Sequence, residues 1–343
     1  MKSCLALLCL LLAACARPLP EGVIELVYAT PYSPTHPFSR ADQAWMAFVA
    51  DRSGGTLRIR PSWSGALLSS EHSMLELRHG VADVGLITPI YVKGGAHLIR
   101  MQSGFYSGAD SVEKQVALYH CMADGHPQYA AELSGLKVLA VQGGSLPGIL
   151  TRDRPVRALS DLRGLRLRAP TELLGVLADL GADPVNMPMG EVYSALTKGV
   201  IDGVIAPADT FRSLHFAEVA RYFTLLSVPR GAYPARAMSL QRWNALSPAH
   251  QAVLQEGVAV WEAALASQTR KALGAGFEEA RKRQVTVLPI DPVEQGAFDQ
   301  LYLRDAERNA RALSRYGIDG LAVFKTARAS VGADGSIACK GTR

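Results

Sequence analysis

No recognisable catalytic constellation occurs in this chain of 343 residues. A G-x-S-x-G elbow is missing, because Gly143-Gly144-Ser145-Leu146-Pro147 lacks the final glycine that would expose a nucleophilic serine. Neither a phosphate loop of the G-x-x-x-x-G-K-S/T form nor a G-x-G-x-x-G turn is present. The eight histidines are scattered, and neither H-x-x-x-H nor C-x-x-C occurs, so no metal site and no cofactor is expected. Charge of one sign is also lacking: 36 basic and 31 acidic side chains are interspersed. The longest basic run is Arg281-Lys282-Arg283, which reads as a solvated helix face, so a nucleic-acid partner is not expected. These absences favour binding over catalysis.

Long apolar runs are scarce as well. Cys4 to Leu12 is the one such run, and it falls well short of the roughly 20 residues that span a bilayer. Preceded by Met1-Lys2, it fits the apolar core of a secretory signal peptide over residues 1–14. Leu12-Ala13-Ala14-Cys15 resembles a bacterial lipobox, with Cys15 as the lipidated new N-terminus. A rival cut exists at Ala14-Cys15-Ala16, which has the small-x-small form of ordinary signal peptidase sites. Diacylation would hold the exported protein on a membrane surface. Cysteine is scarce too, since only Cys121 and Cys339 remain beyond this segment. Export permits a bridge between them, and two buried free thiols are the alternative.

What is present reads as a globular α/β chain, 48% hydrophobic and long enough for two ordinary domains. Strand patterns at Ile24–Ala29, around Leu57 and Ile59, and at 84–87 alternate with helical patterns at 41–49 and 73–77. That order implies parallel strands with helices on both faces. Longer helical stretches run over 112–133, broken at Gly125-His126-Pro127, over Pro248–Lys282 and over 295–316, with a strand at 284–288. The tail after Arg328 is polar and loose unless Cys339 pins it.

One internal echo is informative. Arg78-His79-Gly80-Val81-Ala82-Asp83-Val84-Gly85-Leu86-Ile87-Thr88-Pro89 is answered by Thr197-Lys198-Gly199-Val200-Ile201-Asp202-Gly203-Val204-Ile205-Ala206-Pro207. Both read as a helix end, a glycine stop, an aspartate turn, an apolar strand and a proline exit. Two lobes, each using this device, would enclose a cleft with Thr88 and Ala206 on opposite walls. In Leu165-Arg166-Leu167-Arg168-Ala169-Pro170 the leucines alternate with arginines. As a strand, it puts Arg168 at the crest facing the crevice, where its fork could hold a carboxylate. An ordinary ion pair is the alternative.

The stretch Asp161-Leu162-Arg163-Gly164-Leu165-Arg166-Leu167-Arg168-Ala169-Pro170 resembles the D-L-x-G-L-K-x-R-x-P motif of tripartite ATP-independent periplasmic (TRAP) transporter solute receptors. Gly181-Ala182-Asp183-Pro184-Val185, Met187 to Leu196, Gly199 to Gly203 and Glu218 to Tyr222 continue the resemblance in order. It implies a two-lobed, class II periplasmic-binding-protein-like fold, with two parallel or mixed sheets flanked by helices around an interlobe cleft. The expected division is lobe I from 22–145 with 232–271, lobe II from 146–231 with 272–328, and a tail over 329–343. It implies a periplasmic receptor that delivers a small organic acid to a membrane permease, with Arg168 clamping the ligand carboxylate. Two other readings are a ligand-sensing lipoprotein that docks to a signalling receptor and an enzyme on the same scaffold. The departures matter. Sialic-acid-binding members have a second arginine where Gly148 stands, an acidic residue near Thr88, asparagines near Ala206 and at Ala29, and an aromatic at Met189. A monoanion or small dianion, more apolar than a sugar acid, is therefore expected. Tyr28, Tyr32, Phe211 and Tyr233 are candidates for the cleft walls.

Overall fold

The computed structural model describes residues 20–340. The apolar leader and Cys15, with the proposed lipidation, lie outside the described residues. Eleven strands form two sheets among the described residues. In chain order they are β1 (Ile24–Ala29), β2 (Leu57–Ser62), β3 (Val84–Leu86), β4 (Leu136–Gln142), β5 (Gly148–Thr151), β6 (Arg166–Arg168), β7 (Asp183–Val185), β8 (Gly203–Ala206), β9 (Tyr222–Thr224), β10 (Tyr233–Ser239) and β11 (Thr286–Leu288). The first sheet has the order β2-β1-β3-β10-β4 and the second β11-β9-β5-β8-β6-β7.

Each sheet is parallel except for one strand. β10 runs antiparallel to β3 and β4, and β5 runs antiparallel to β8 and β9. These are the two strands by which the chain arrives from the opposite lobe, so they enter their sheets from the cleft side. The other strands deliver their carboxyl ends to the cleft. Expecting a parallel sheet from strand-helix-strand order was right for the units that stay within a lobe. Both sheets are covered on both faces. Leu26 and Tyr28 of β1 pack into one apolar cluster while Ala29 packs into another, and Ile149 and Leu150 of β5 are divided in the same way. Such doubly buried strands read as apolar runs rather than alternations.

The sequence echo is a real structural repeat. Gly80 and Gly199 both have positive φ, 76° and 69°, just after a helix end. A carboxylate oxygen of Asp83 accepts the amide of Val27 at 2.7 Å, and one of Asp202 accepts the amide of Arg166 at 2.7 Å. Each aspartate therefore satisfies an amide of the neighbouring parallel strand and fixes where its own strand begins. Glycine in β3 and β8 is required by space. A Cβ at Gly203 would lie 2.2 Å from the Leu150 carbonyl oxygen, and one at Gly85 2.4 Å from Leu68.

Two helices belong to both lobes. Pro248–Lys282 is capped by Ser247, whose hydroxyl accepts the His250 amide. It buries Leu254, Trp261 and Leu265 in the first lobe and Ala280 in the second. Trp261 stacks on Trp45 with ring centroids 4.1 Å apart. At the other end Gly276 lies against Ala208, whose carbonyl oxygen would be 2.0 Å from a Cβ. The helix Pro292–Ala312 buries Phe298 and Tyr302 in the second lobe but Ala306 and Ala310 in the first. This corrects the division expected for 272–328. The final helix, Gly320–Ser330, packs Val323, Phe324 and Ala327 into the first-lobe core, because the preceding helix has already carried the chain back across.

The tail is pinned. Val331 and Ile337 form an antiparallel bridge, and Cys339 is disulfide-bonded to Cys121, 218 residues away and 5.0 Å between Cα atoms. A loop that long restricts the unfolded chain by about 5 kcal/mol in the chain-entropy model. Neither cysteine should alkylate in unreduced, denatured protein analysed by mass spectrometry. Cys339→Ser should lower unfolding stability by up to that amount in denaturant titrations.

Candidate functional site

A cleft of about 120 Å³ lies where the carboxyl ends of both sheets meet. Tyr32, Thr88, Tyr91, Ser103 and Tyr233 line it from the first lobe, and Arg168, Glu172 and Met189 from the second. Gly144 and Arg230 reach it from the two interlobe connections.

Arg168 is the last residue of β6. Leu167 points into the second-lobe core, and Arg166 is exposed, its Nε 3.3 Å from Asp183. The crest behind Arg168 is held by the Ala169 amide donating to Val185 and by Asn186 Nδ2 donating to the Ala169 carbonyl at 2.9 Å. Arg168 is 3% exposed. Its Nε donates to the Met187 carbonyl at 3.0 Å and its Nη2 to the Tyr91 hydroxyl at 2.6 Å. Tyr91 belongs to the opposite lobe, so this bond closes the cleft. No carboxylate among the described residues lies within salt-bridge distance of Arg168, and Nη1 makes no hydrogen bond to them. A guanidinium this buried normally pairs with an anion. It can therefore present an N–H edge to a carboxylate placed beside Tyr91.

The walls are tuned to stay neutral. Tyr32 stacks on His36 at 4.0 Å. Burial, assisted by the Arg236 charge, pushes the His36 imidazole down to about 3. Its Nδ1 accepts the Phe38 amide at 3.2 Å, as only a neutral ring can. Tyr233 accepts at its hydroxyl from Gln142 Nε2 at 2.9 Å, and burial raises its pKa. Gln142 is itself held by Arg236, which is fully buried against Asp42 at 2.8 Å. Thr88 lines the cleft, but its hydroxyl is occupied with Ser70 and Ser73.

Three sequence candidates do not reach the cleft. Tyr28 lies in the first-lobe core, its hydroxyl donating to Asp42 at 2.5 Å. Phe211 lies in the second-lobe core, edge-on to Phe223 at 5.4 Å. Ala206 is buried in the same cluster, and its neighbours Ile205 and Pro207 line the cleft instead. At Ala206 and Phe211 the chain reaches the right neighbourhood with the wrong face, since Ile205, Pro207 and Thr210 line the cleft. Gly148, by contrast, has a structural reason to be glycine. A Cβ there would lie 2.5 Å from the Thr224 carbonyl oxygen and 2.6 Å from the Phe223 ring, so no arginine fits.

Sequence reasoning passed over Tyr91, Ser103, Glu172 and Arg230. Arg230 lies within Pro229-Arg230-Gly231, in an interlobe crossing, and that was the available signal. Its guanidinium lies over Gly144, where a Cβ would be 2.4 Å from Nη1. Burial pushes Glu172 up to about 7, opposed by a backbone hydrogen bond and by Arg168 and Arg230. Burial likewise pushes Asp209 up to about 6, opposed chiefly by Arg230. Near neutrality Glu172 thus carries only part of a negative charge, and Asp209 most of one.

A carboxyl whose folded pKa is raised stabilises the fold at low pH and loses that contribution as pH rises through the folded value. Wild-type stability should accordingly fall relative to Glu172→Gln between about pH 4.5 and 7, by up to about 3 kcal/mol, and then level off. Denaturant unfolding of both proteins across that range measures it. A difference that does not change with pH would refute the assignment.

The model of the family described as bacterial extracellular solute-binding protein, family 7, matches residues 28–309. A solute-binding protein of Chromohalobacter salexigens is 28% identical over 267 residues, covering 72% of this chain and 76% of its own length. A TRAP solute-binding protein from Rhodoferax ferrireducens, solved with copurified benzoate, superposes with a TM-score of 0.81 at 24% identity, covering 90% of this chain and 97% of that one. Another, from Bordetella bronchiseptica with bound (R)- and (S)-mandelate, has a TM-score of 0.79 at 20% identity, covering 89% and 98%. These likenesses show that the two-lobed fold is that of TRAP receptors.

Proposed function

This chain belongs to family 7 of the bacterial extracellular solute-binding proteins, and we propose that it captures a small monocarboxylate, clamped by Arg168, for a TRAP permease. The observation that carries this reading is a nearly buried guanidinium, joined across the cleft to Tyr91 and lacking any carboxylate partner among the described residues. Size supports it. The cleft of about 120 Å³ is of the order of the roughly 150 Å³ cavity that accommodates benzene, and it adjoins a wider opening past Tyr91 and Met189, so it suits a small acid rather than a large one. The benzoate and mandelate of the two structural neighbours are small single-ring acids. Tyr32, Met189 and Tyr233 form apolar walls, with hydroxyls for orientation. The receptor works in the periplasm, and Cys15 anchors it there through lipid.

Losing one partner of a desolvated charge pair costs about 2 to 5 kcal/mol, or roughly 30- to 5000-fold in affinity. Calorimetry with the best carboxylate from a thermal-shift panel should show that loss for Arg168→Ala. Arg168→Lys should also bind weakly, because an ammonium cannot reproduce the fork. Arg166→Ala should bind as wild type does, since Arg166 is exposed and pairs with Asp183. Near-wild-type affinity in folded Arg168→Ala protein would overturn the clamp.

Anchoring is tested separately. Expressed in a Gram-negative host, the full chain should partition into detergent and incorporate labelled palmitate, and Cys15→Ser should abolish both. Water-soluble wild-type protein starting at Ala16 or Arg17 would refute lipidation.

A further inference from the structure

The end of the cleft next to the interlobe connections holds a second set of polar groups that the carboxylate clamp does not use. Ser103, Glu172 and Thr269 are each more than nine-tenths buried and line the cleft. The Ser103 hydroxyl, Glu172 Oε2 and the Thr269 hydroxyl have no hydrogen-bond partner among the described residues. The residue after Ser103, Gly104, packs on Glu172, since a Cβ there would lie 3.4 Å from the Glu172 Cβ. Arg230 lines the same cleft. The residue after it, Gly231, sits so close that a Cβ there would be 2.7 Å from the Ser103 Cα. The only hydrogen bond Arg230 makes among the described residues is a long one, from Nη1 to the Ser145 carbonyl at 3.5 Å. Four different parts of the chain thus bring polar side chains without matched partners to one cleft.

We propose that Ser103, Glu172 and Arg230 form a subsite for a hydroxyl group of the ligand, so that the receptor selects hydroxy-substituted carboxylic acids over their deoxy analogues. This rests on the carboxylate reading above and names the class of acid. A hydroxyl is the group that fits. It donates to Glu172 and accepts from Arg230, whereas the serine hydroxyl serves in either direction. An ammonium would be repelled by Arg230, and a second carboxylate by Glu172. A purely apolar ligand would leave buried polar groups unmatched, weakening binding by about 5- to 150-fold for each one.

The test is calorimetry on matched pairs: 3-hydroxybenzoate against benzoate, mandelate against phenylacetate, and 3-hydroxybutyrate against butyrate. Wild type, Glu172→Gln, Glu172→Met and Ser103→Ala are compared, each shown to be folded by a cooperative melt. The readout is the affinity ratio within a pair. Any effect of the Glu172 charge on the carboxylate common to both acids cancels in it. Wild type should prefer the hydroxylated member of at least one pair by fivefold or more. Glu172→Met should bring that ratio close to one, and Glu172→Gln and Ser103→Ala should lower it. Acids that bind with ratios near one in every pair, or ratios unchanged by the variants, would overturn the subsite and leave the Arg168 clamp standing. Failure of every acid to bind would overturn the carboxylate reading and the subsite with it.

Discussion

A single uncompensated cation sets the requirements of this structure. Arg168 is almost completely buried, and removing a guanidinium from water is unfavourable unless its N–H groups find acceptors. The protein supplies two neutral ones, the Met187 carbonyl from its own lobe and the Tyr91 hydroxyl from the other. Neither carries negative charge. The position is therefore held by dipoles and left electrostatically incomplete, and low local dielectric strengthens any anion that completes it. Because Tyr91 reaches across the cleft, the relative position of the lobes is tied to what happens at this guanidinium. A ligand with a carboxylate there contacts both lobes at once, which is how differential binding favours a closed state.

Such a site needs a frame that holds its shape while the lobes respond. The helix Pro248–Lys282 provides it by contributing to the cores of both lobes. At its middle Trp261 donates to Asp42 at 2.9 Å, beside the Arg236 guanidinium and the Tyr28 hydroxyl. A buried ion pair of this kind adds little net stability, although removing one partner typically costs about 3 to 5 kcal/mol. Its value here is positional. Asp42 orients Arg236, Arg236 holds Gln142, and Gln142 donates to Tyr233 at the cleft wall. Tyr28 belongs to this frame rather than to the wall.

The sequence was readable where local chemistry determines structure. Gly80 and Gly199 mark helix ends because positive φ excludes most other residues, and Asp83 and Asp202 mark strand starts because each must satisfy a neighbouring amide. Arg168 could be placed at a strand crest from its alternation with Leu167 and from Pro170. Face assignment failed at Tyr28, Ala206 and Phe211 for a physical reason. Their surroundings are buried on every side, so no polar alternation distinguishes core from cleft. Tyr91, Ser103, Glu172 and Arg230 come from separate segments, and only the crossings between lobes bring them together. The helix Gly320–Ser330 was assigned to the wrong lobe because nothing local shows that Pro292–Ala312 passes from one core to the other.

Charge balance across the cleft sets the valence of the ligand. The absence of a second clamp arginine is built into the backbone, since the Thr224 carbonyl and the Phe223 ring occupy the space a side chain at Gly148 would need. Arg230 adds a cation, but it is not free to act as a second clamp. Glu172 and Asp209 both feel its charge, and burial raises both, to about 7 and about 6, so that at neutral pH Glu172 is about half-ionised and Asp209 largely ionised. Together they offset the positive charge of Arg230 at neutral pH and can take up a proton when an anion approaches. What stays unbalanced is the single charge of Arg168. A monoanion neutralises it, while a dianion would bring its second charge against Glu172 and Asp209. On the proposed reading, the cleft would distinguish ligands first by a single carboxylate and then by whatever uncharged group reaches its other end.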